Sequence, residues 1–231
     1  KLAALGRLSA GVAHEIKNPL NATMIHLALL KMHLADQPDA LNHVGVIAEQ
    51  VRRLDEVVQG FLRFTRPEEL HLRPVALASL FDSILPVIEA EAAGHGIDVR
   101  VDCPLDLPPV NADAGLLGQA FLNLGLNACQ AMPTGGRLRI SAARRTGRRI
   151  EVRFEDSGAG IPPEQLPHIF DLYFTTKAEG SGIGLSLVYR TVQLHDGEIT
   201  VESVPDRGTT FRLLLRQTAE VPLPRTAIAR S

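Results

Sequence analysis

Two long stretches of apolar residues at helical spacing open the chain, and both come before Pro67. The first runs from Leu2 to about Leu34, and after turn residues at 36–39 the second runs to Arg66. The seam of the second stretch is formed by Leu41, Val44, Ile47, Val51, Leu54, Val58, Phe61 and Leu62. A hairpin with one apolar stripe on each helix cannot bury both stripes by itself. We therefore expect residues 1–68 to pair with a second copy in a dimeric four-helix bundle, while packing against the rest of the chain is the alternative.

The composition is that of an ordinary globular protein, with 45% hydrophobic and 22% charged residues over 231 positions. A formal net charge of −2 gives no general attraction to nucleic acid or to anionic lipid. No apolar run approaches the ~18 residues that a membrane span needs. Cys103 and Cys129 lack metal-ligand spacing and are expected to be a buried, reduced pair. Without an initiator Met or a signal-peptide pattern, the chain is expected to be a cytoplasmic fragment, and membrane attachment of a longer protein stays an open question.

Past Pro67 the pattern changes to short alternating runs between helical ones. Strands are predicted near 70–75, 97–101, 138–142, 150–154, 198–202 and 210–215, and helices over 77–93, 114–132 and 186–194. In the first of these helices Leu80, Ile84, Val87 and Ile88 are expected to face inward. The mixture predicts an α+β sandwich over residues 69–217, with helices on one face of a mixed sheet, and a disordered tail over 218–231.

A basic turn at Arg144–Arg149 lies between two of the predicted strands. Its charge is compatible with a nucleic-acid patch. However, Thr146 and Gly147 between alternating strands favour a hairpin tip with solvated charges, so we expect no nucleic-acid partner.

The first helix presents one imidazole on a polar stripe. At 3.6 residues per turn, His14 and Asn18 share a face, while Leu8 and Ile16 fall towards another. A neutral imidazole nitrogen is available as a nucleophile near neutral pH, and the carboxylate of Glu15 is suited to fix the ring tautomer. A solvated surface histidine is the alternative, so His14 alone does not decide the function.

Two polar motifs lie at the ends of predicted elements in the second domain. Asn123 and Asn127 are four residues apart on one helix, where a carboxamide oxygen suits Mg²⁺, although two mutually satisfied amides would look the same. Asp156 follows a strand, where its carboxylate is placed to accept from an exocyclic amine such as that of adenine. Gly158 and Gly160 allow close backbone approach to a ring, but this pattern is also that of a simple turn.

Two further motifs follow each other directly. Phe170 and Phe174 belong to an aromatic cluster that is suited to anchor a mobile loop, although core packing explains Phe170 equally well. Lys177 is placed to reach a phosphate as a point charge. Glycines then precede a helix, where unhindered amides form an anion site suited to a polyphosphate; they are Gly180, Gly182 and Gly184.

In this order, the motifs resemble the transmitter core of a bacterial two-component sensor histidine kinase, over residues 1 to about 216. His14-Glu15-Ile-Lys-Asn18-Pro19 is similar to the phosphoacceptor box of that family. The other motifs are similar to its N box, first glycine box, F box, second glycine box and closing Gly-Thr segment; they begin at Asn123, Asp156, Phe170, Gly180 and Gly208. The His14 box and Gln119–Asn123 are closest in style to the nitrogen-regulation branch.

The resemblance implies an ATP-binding domain of the fold shared with gyrase and the heat-shock chaperone ATPases. It implies that Asp156 binds the adenine amine, that Asn127 binds Mg²⁺, and that Thr209 belongs to the nucleotide site. Residues around the phosphates would be Asn123, Lys177, Gly180, Gly182 and Gly184, under a lid over about 173–181. The family's hydrolytic cousins have a glutamate at the position of Asn123, and an amide cannot act as that base.

The expected activity is that of an ATP-dependent protein-histidine kinase, acting by in-line attack of a His14 nitrogen on the γ-phosphorus. Glu15 would orient the ring, and the phosphoryl group would pass to an aspartate of a response-regulator receiver. By geometry and family analogy, Asn18 would hold a water for dephosphorylation of that receiver. Two competing interpretations are an ATP-hydrolysing protein of the same fold and a catalytically inactive dimer scaffold.

Overall fold

The computed structural model describes residues 2–34, 37–65, 70–177, 180 and 182–218. In the first hairpin the backbone of both helices is described, and the side chains are described in part. The chain divides into two compact units, residues 1–70 with 164–190 and residues 71–163 with 191–231.

The first unit contains the two expected helices, α1 (Leu2–His33) and α2 (Pro38–Thr65). α1 continues through Pro19, and the Thr23 hydroxyl donates to the carbonyl oxygen of Pro19 at 2.8 Å. α2 begins at Pro38, where the missing N–H costs nothing because the first helical amides have no partner within the helix.

The hairpin buries only part of its apolar surface. Its core consists of Leu27, Val44 and Val51, with Leu20, Met24, Leu34 and Ala48 packed against it. Other apolar side chains of the two helices are exposed, among them Ile25, Leu29 and Met32 of α1 and Val46, Ile47 and Leu54 of α2. A single copy of the hairpin therefore leaves two seam residues of α2, Ile47 and Leu54, in contact with water.

The second unit holds a five-stranded mixed sheet and a separate two-stranded one. Its elements are β1 (Arg73–Val75), α3 (Leu77–His95), β2 (Ile97–Asp102), β3 (Val110–Ala112), α4 (Ala114–Gln130), β4 (Gly136–Arg145), β5 (Arg149–Asp156), β6 (Glu198–Val204) and β7 (Gly208–Arg216). The large sheet has the order β2-β4-β5-β7-β6, in which β2 and β4 are parallel and all other neighbours antiparallel. β1 and β3 form the small antiparallel sheet. Helix α5 (Gly184–Leu194) begins in the first unit and ends in the second.

The core of the second unit lies between the large sheet and helices α3 and α4. Phe121 of α4 contacts Phe81 of α3 and Phe154 of β5, with ring centroids 5.7 and 5.5 Å away. Gly125 brings the two helices close together, since a β-carbon there would lie 2.4 Å from Cδ1 of Ile88. The predicted α+β sandwich with a mixed sheet is thus confirmed.

Two sequence-based expectations about burial were wrong. Val87, expected to face inward, is 50% exposed, whereas Phe81, for which no inward position was predicted, is buried. Cys129 is buried, but Cys103 is only partly buried; both are free. Burial raises the pKa of each thiol, and nearby carboxylates raise it further: Asp102 and Asp82 for Cys103, and Glu91 for Cys129.

The basic turn is the tip of the β4–β5 hairpin, which pairs as far as Arg145 opposite Arg149. The guanidinium of Arg145 donates to Glu151 at 2.7 Å, and that of Arg149 to Glu198 at 3.2 Å. Arg148 donates to the carbonyl oxygen of Thr218 at 3.2 Å. Use of these charges within the domain favours the hairpin-tip interpretation and explains why β4 extends beyond the predicted residue 142.

Across residues 2–34, 37–65, 70–177, 180 and 182–218, none of the helices is both long enough and apolar enough to cross a membrane. The predicted tail lies outside the described residues, apart from Thr218, whose N–H donates to the carbonyl oxygen of Pro109 at 2.9 Å.

Candidate functional site

The candidate acceptor residues lie on α1, as the helical pattern predicted. His14 and Glu15 are within the helix, but their side chains are outside the described part of the structure. The side chain of Asn18, one turn further along, is exposed. The helix thus places Asn18 where solvent reaches it, and its role stays a prediction.

Helix α4 carries the two candidate asparagines on one face. The side chain of Asp113 caps the helix, since its Oδ1 accepts the backbone N–H groups of Gly115 and Leu116 at 3.0 and 3.1 Å. Asn123 and Asn127 are both half-buried. Gln119, one turn before Asn123, donates from Nε2 to its Oδ1 at 3.3 Å. This bond orients the carboxamide of Asn123.

The carboxylate of Asp156 lies at the end of β5, and the backbone fixes its orientation. Oδ1 accepts the N–H of Gly158 at 2.9 Å and that of Thr209 at 3.2 Å. One donor comes from the loop after β5 and the other from β7, its neighbour in the sheet. A carboxylate held in this way is a rigid hydrogen-bond acceptor.

Thr209 belongs to a short hydrogen-bonded chain with Ser203, which sequence reasoning missed. Thr209 is 5% exposed, and its Oγ1 lies 2.9 Å from Oγ of Ser203. Ser203 donates to the carbonyl oxygen of Gly208 and accepts the N–H of Ile161 at 2.8 Å. Because the one hydroxyl proton of Ser203 is used in this way, Thr209 is the donor between the two. The register that pairs Ser203 with Thr209 on β6 and β7 is the signal that links them.

The glycines after Asp156 are required by packing within the domain. A β-carbon on Gly158 would lie 2.5 Å from the carbonyl oxygen of Ala131, which also accepts the N–H of Ala159. Gly160 has φ +68°, and a β-carbon there would lie 2.2 Å from the carbonyl oxygen of Val204. At both positions a β-carbon would collide with protein backbone. Packing within the domain is therefore a sufficient reason for glycine here, whether or not a ligand ring also approaches.

The aromatic motif lies in the first unit and forms two ring pairs. Phe170 contacts Tyr189 of α5, with centroids 5.2 Å apart, and Phe174 contacts His168 at 5.9 Å. Nδ1 of His168 is 2.9 Å from Oδ2 of Asp171. Phe170 is half-buried and packs against an aromatic ring of α5, and its role in anchoring a lid stays a prediction.

A backbone hydrogen bond joins the two ends of the candidate lid. The N–H of Tyr173 donates to the carbonyl oxygen of Gly182 at 3.0 Å. Both residues have positive φ, 69° and 67°, and a β-carbon on Gly182 would lie 2.4 Å from the carbonyl carbon of Tyr173. Within the loop, the N–H of Lys177 donates to Oγ1 of Thr175 at 3.1 Å, and the N–H of Gly180 to the carbonyl oxygen of Lys177 at 3.2 Å. The close contact with the backbone of Tyr173 therefore requires glycine at position 182.

The structure brings the predicted residues together in two groups. In the second unit, direct hydrogen bonds join Asp156, Gly158 and Thr209, and α4 carries the two asparagines on one face. Gly160 also lies in the second unit. The first unit holds the other predicted residues, namely His14, Glu15, Asn18, Phe170, Lys177, Gly180, Gly182 and Gly184. Among the described residues, no group of three or more His, Cys, Asp or Glu side chains is arranged to hold a metal ion.

Two family comparisons match successive parts of the chain. The family described as "Histidine kinase-, DNA gyrase B-, and HSP90-like ATPase" matches residues 112–219, which defines the second part of the chain as an ATPase domain. The family described as "His Kinase A (phospho-acceptor) domain" matches residues 4–70, where His14 lies. The chain therefore belongs to the sensor histidine kinases, as the core that joins a phospho-acceptor domain to an ATPase domain.

Similar proteins share both parts. The chain is 36% identical over 215 residues to the signal transduction histidine-protein kinase AtoS of Escherichia coli strain K12. This alignment covers 93% of this chain and 35% of AtoS. It is 39% identical over 218 residues to the sensor histidine kinase ZraS of the same strain, in an alignment that covers 93% of this chain and 46% of ZraS. The chain thus spans less than half the length of either relative.

Solved structures of similar proteins have the same fold. Full-length ShkA, in complex with AMPPNP, superimposes with a TM-score of 0.77 at 26% identity, over 94% of this chain and 47% of ShkA. The histidine kinase ThkA, in complex with the response regulator protein TrrA, gives 0.67 at 27% identity, over 94% of this chain and 63% of ThkA.

Proposed function

We propose that this chain transfers the γ-phosphoryl group of ATP to His14, and that the phosphohistidine then donates it to an aspartate of a response-regulator receiver. The observation that carries the proposal is the presence of a phospho-acceptor domain and an ATPase domain in one chain. The domains would be residues 1–68 and 69–217, followed by a disordered tail. Because the donor is ATP, we expect the chain to act in the cytoplasm.

Asp156 would bind the exocyclic amine of adenine. This role is supported by the two backbone N–H groups that fix Oδ1 of the carboxylate, since a rigid acceptor loses little freedom when it binds a planar base. Gly158, Gly160 and Thr209 would complete this part of the site. The buried hydroxyl chain of Thr209 supports a role in holding the site's shape.

The phosphates would be bound by residues of the N box and the second glycine box. We assign this role to Asn123, Lys177, Gly180, Gly182 and Gly184, with Phe170 anchoring the lid through Tyr189. The start of α5 at Gly184 supports it, since backbone N–H groups at a helix N-terminus attract anions.

The donor set fits Mg²⁺ held jointly by protein and phosphates. Among the described residues there is no carboxylate-rich cage, and Mg²⁺ in nucleotide sites takes few protein ligands. The carboxamide oxygen of Asn127, half-buried on α4, is the ligand we propose. When bound, Mg²⁺ would neutralise charge on the phosphate oxygens.

In the reaction, a ring nitrogen of His14 would form a bond to the γ-phosphorus as the bond to the β,γ-bridging oxygen breaks and ADP leaves. Glu15 would orient the ring by accepting from its other nitrogen, and would take the proton that this second nitrogen loses once the ring is phosphorylated. Asn123 favours this transfer over hydrolysis, because a carboxamide cannot remove a proton from water as a glutamate does. Positioning and charge neutralisation would supply most of the rate enhancement.

The partners we propose are a second copy of the chain and a receiver domain. Pairing of two hairpins is supported by the match to the phospho-acceptor family and by the exposed seam residues of α2. A receiver partner is supported by the complex of the similar kinase ThkA with the response regulator TrrA. The sequences of the His14 box and of Gln119–Asn123 support placement in the nitrogen-regulation branch.

The test is incubation of the chain with γ-labelled ATP and Mg²⁺, beside a His14→Gln variant. We expect retained label that is stable to base and labile to acid, and none in the variant. Phosphate release without labelled protein would show a hydrolase, and failure to bind ATP would show an inactive scaffold. For Asn18, unchanged receiver dephosphorylation in Asn18→Ala would remove its proposed role.

A further inference from the structure

His195 joins the last turn of α5 to the first turn of α4. Its Nδ1 lies 2.7 Å from the carbonyl oxygen of Thr191, and its Nε2 lies 2.9 Å from the backbone nitrogen of Asp113. A carbonyl only accepts and a backbone N–H only donates, so Nδ1 carries the ring proton and Nε2 accepts. The residue is 5% exposed. The ring is therefore a buried neutral bridge between two helix ends.

Backbone hydrogen bonds hold the turn that carries His195 at the end of α5. The N–H of His195 also bonds to the carbonyl oxygen of Thr191, and the N–H of Gly197 donates to that of Val192 at 2.9 Å. Asp196 between them has φ +50°, so the helix ends in a left-handed residue. A β-carbon on Gly197 would lie 2.9 Å from the carbonyl oxygen of Leu214, which places this turn against β7.

On the other side of the bridge, Asp113 is held by both its side chain and its backbone. Its Oδ1 accepts from Gly115 and Leu116, and its Oδ2 accepts the N–H of His71 at 3.2 Å. Burial alone would raise the pKa of Asp113, but these three backbone hydrogen bonds outweigh it and lower the pKa. The backbone N–H of Asp113 donates to Nε2 of His195. Loss of this acceptor would leave the N–H without its partner, which costs free energy when the group is buried.

We propose that His195 is a positioning residue for nucleotide binding, because its bond to the backbone of Asp113 fixes the first turn of α4 and with it Asn123 and Asn127. The inference rests on the roles proposed above for these two asparagines. They lie ten and fourteen residues after Asp113 on one uninterrupted helix, so a shift or rotation of the first turn displaces both carboxamides.

Two substitutions separate the two hydrogen bonds of the ring. Asn places an N–H donor where Nδ1 lies and has no atom at the position of Nε2, so His195→Asn keeps the bond to Thr191 and loses that to Asp113. Gln places its polar atoms where Nε2 lies, so the amide oxygen in His195→Gln can accept from Asp113. Ile140→Val, in the buried part of β4, is a control for general destabilisation of the domain.

The experiment measures binding of the β,γ-imido analogue of ATP to the folded chain, with and without Mg²⁺, together with the melting temperature. For His195→Asn we expect the Kd with Mg²⁺ to rise about fivefold or more and the ratio of Kd without Mg²⁺ to Kd with Mg²⁺ to fall towards one. His195→Gln should restore most of the affinity. Ile140→Val should melt at a lower temperature while its Kd stays that of the wild type.

Equal Kd values for the wild type and both His195 variants would overturn the inference, as would equal loss in His195→Asn and His195→Gln. A change in melting temperature alone would also overturn it, because it would reduce His195 to a structural residue. If the wild type itself fails to bind the analogue, the proposed nucleotide site is refuted, and this outcome is distinct from the others.

Discussion

The carboxylate of Asp156 accepts the backbone N–H of Thr209 at 3.2 Å, although the two residues are 53 positions apart in the chain. In Asp156→Asn the amide oxygen can still accept from Thr209 and Gly158. The amide nitrogen would then point at the adenine amine, and the two groups cannot form a hydrogen bond because both are donors. We expect the variant to keep its melting temperature within a few degrees and to bind ATP at least about tenfold more weakly. Calorimetric titration checks this, with Asp106→Asn in an exposed turn as the control.

The proximity of α3 and α4 predicts opposite effects for two glycine substitutions. In Gly125→Ala the new methyl group would collide with Ile88, so we expect a loss of about 1–3 kcal/mol in the free energy of unfolding. A β-carbon on Gly94 of α3 would have no other atom within 4 Å, and Gly94→Ala should gain up to about 1 kcal/mol from helix propensity alone. Urea unfolding measures both, and equal stability of the two variants would contradict the prediction.

The lowered pKa of Asp113 predicts a loss of stability in acid. A carboxyl whose pKa is lower in the folded state stabilises the fold above its ordinary value of 3.8, and this contribution disappears as pH falls through the lower folded value. Asp113→Asn should be less stable than the wild type at pH 7 by about 0.3–1 kcal/mol, since it lacks the charge at the helix N-terminus. The difference should shrink below pH 3. Urea titrations at the two pH values test this, and a constant difference would argue against it.

Two exposed apolar residues of α2 distinguish the dimer seam from the rest of the helix. Leu54 and Val46 are 54% and 55% exposed in one chain, but only Leu54 belongs to the heptad-spaced seam with Ile47. Leu54→Glu should weaken dimerisation at least about tenfold, because it would bury an unpaired charge, whereas Val46→Glu should not. Sedimentation equilibrium provides the measurement. Equal association of both variants would mean that the seam is elsewhere.

Sequence patterns predicted the fold well where apolar spacing decides it. The periodicity of α1 and α2, the alternation of β4 and β5, and the stop at Gly96, with φ +70°, all depend on local spacing or on one residue's conformational freedom. Val87 was misplaced because, at 100° per residue, it lies at the edge of the face that α3 buries, while Phe81 lies well inside that face. Apolar spacing alone does not say where the edge of the buried face falls.

The candidate site could be predicted only as a set of residue types. The spacing of Asn123 and Asn127 predicts a shared face, but their supports, Gln119 and the cap at Asp113, depend on side-chain directions and on contacts with distant residues. His195 and Ser203 were missed for the same reason. Their partners, Asp113 and Ile161, are 82 and 42 positions away and leave no local pattern.

The position of β7 in the sheet has a consequence for protein synthesis. Among the described residues β7 is the last strand in sequence, yet it lies between β5 and β6 and supplies the Thr209 amide to Asp156. While a ribosome is still making the chain, β5 and the rest of the domain emerge first and have an open edge where β7 will pair. A nascent or truncated chain that lacks residues after 208 therefore presents Asp156 without the backbone donor that Thr209 supplies, and the orientation of this carboxylate is completed only once β7 has been synthesised and paired.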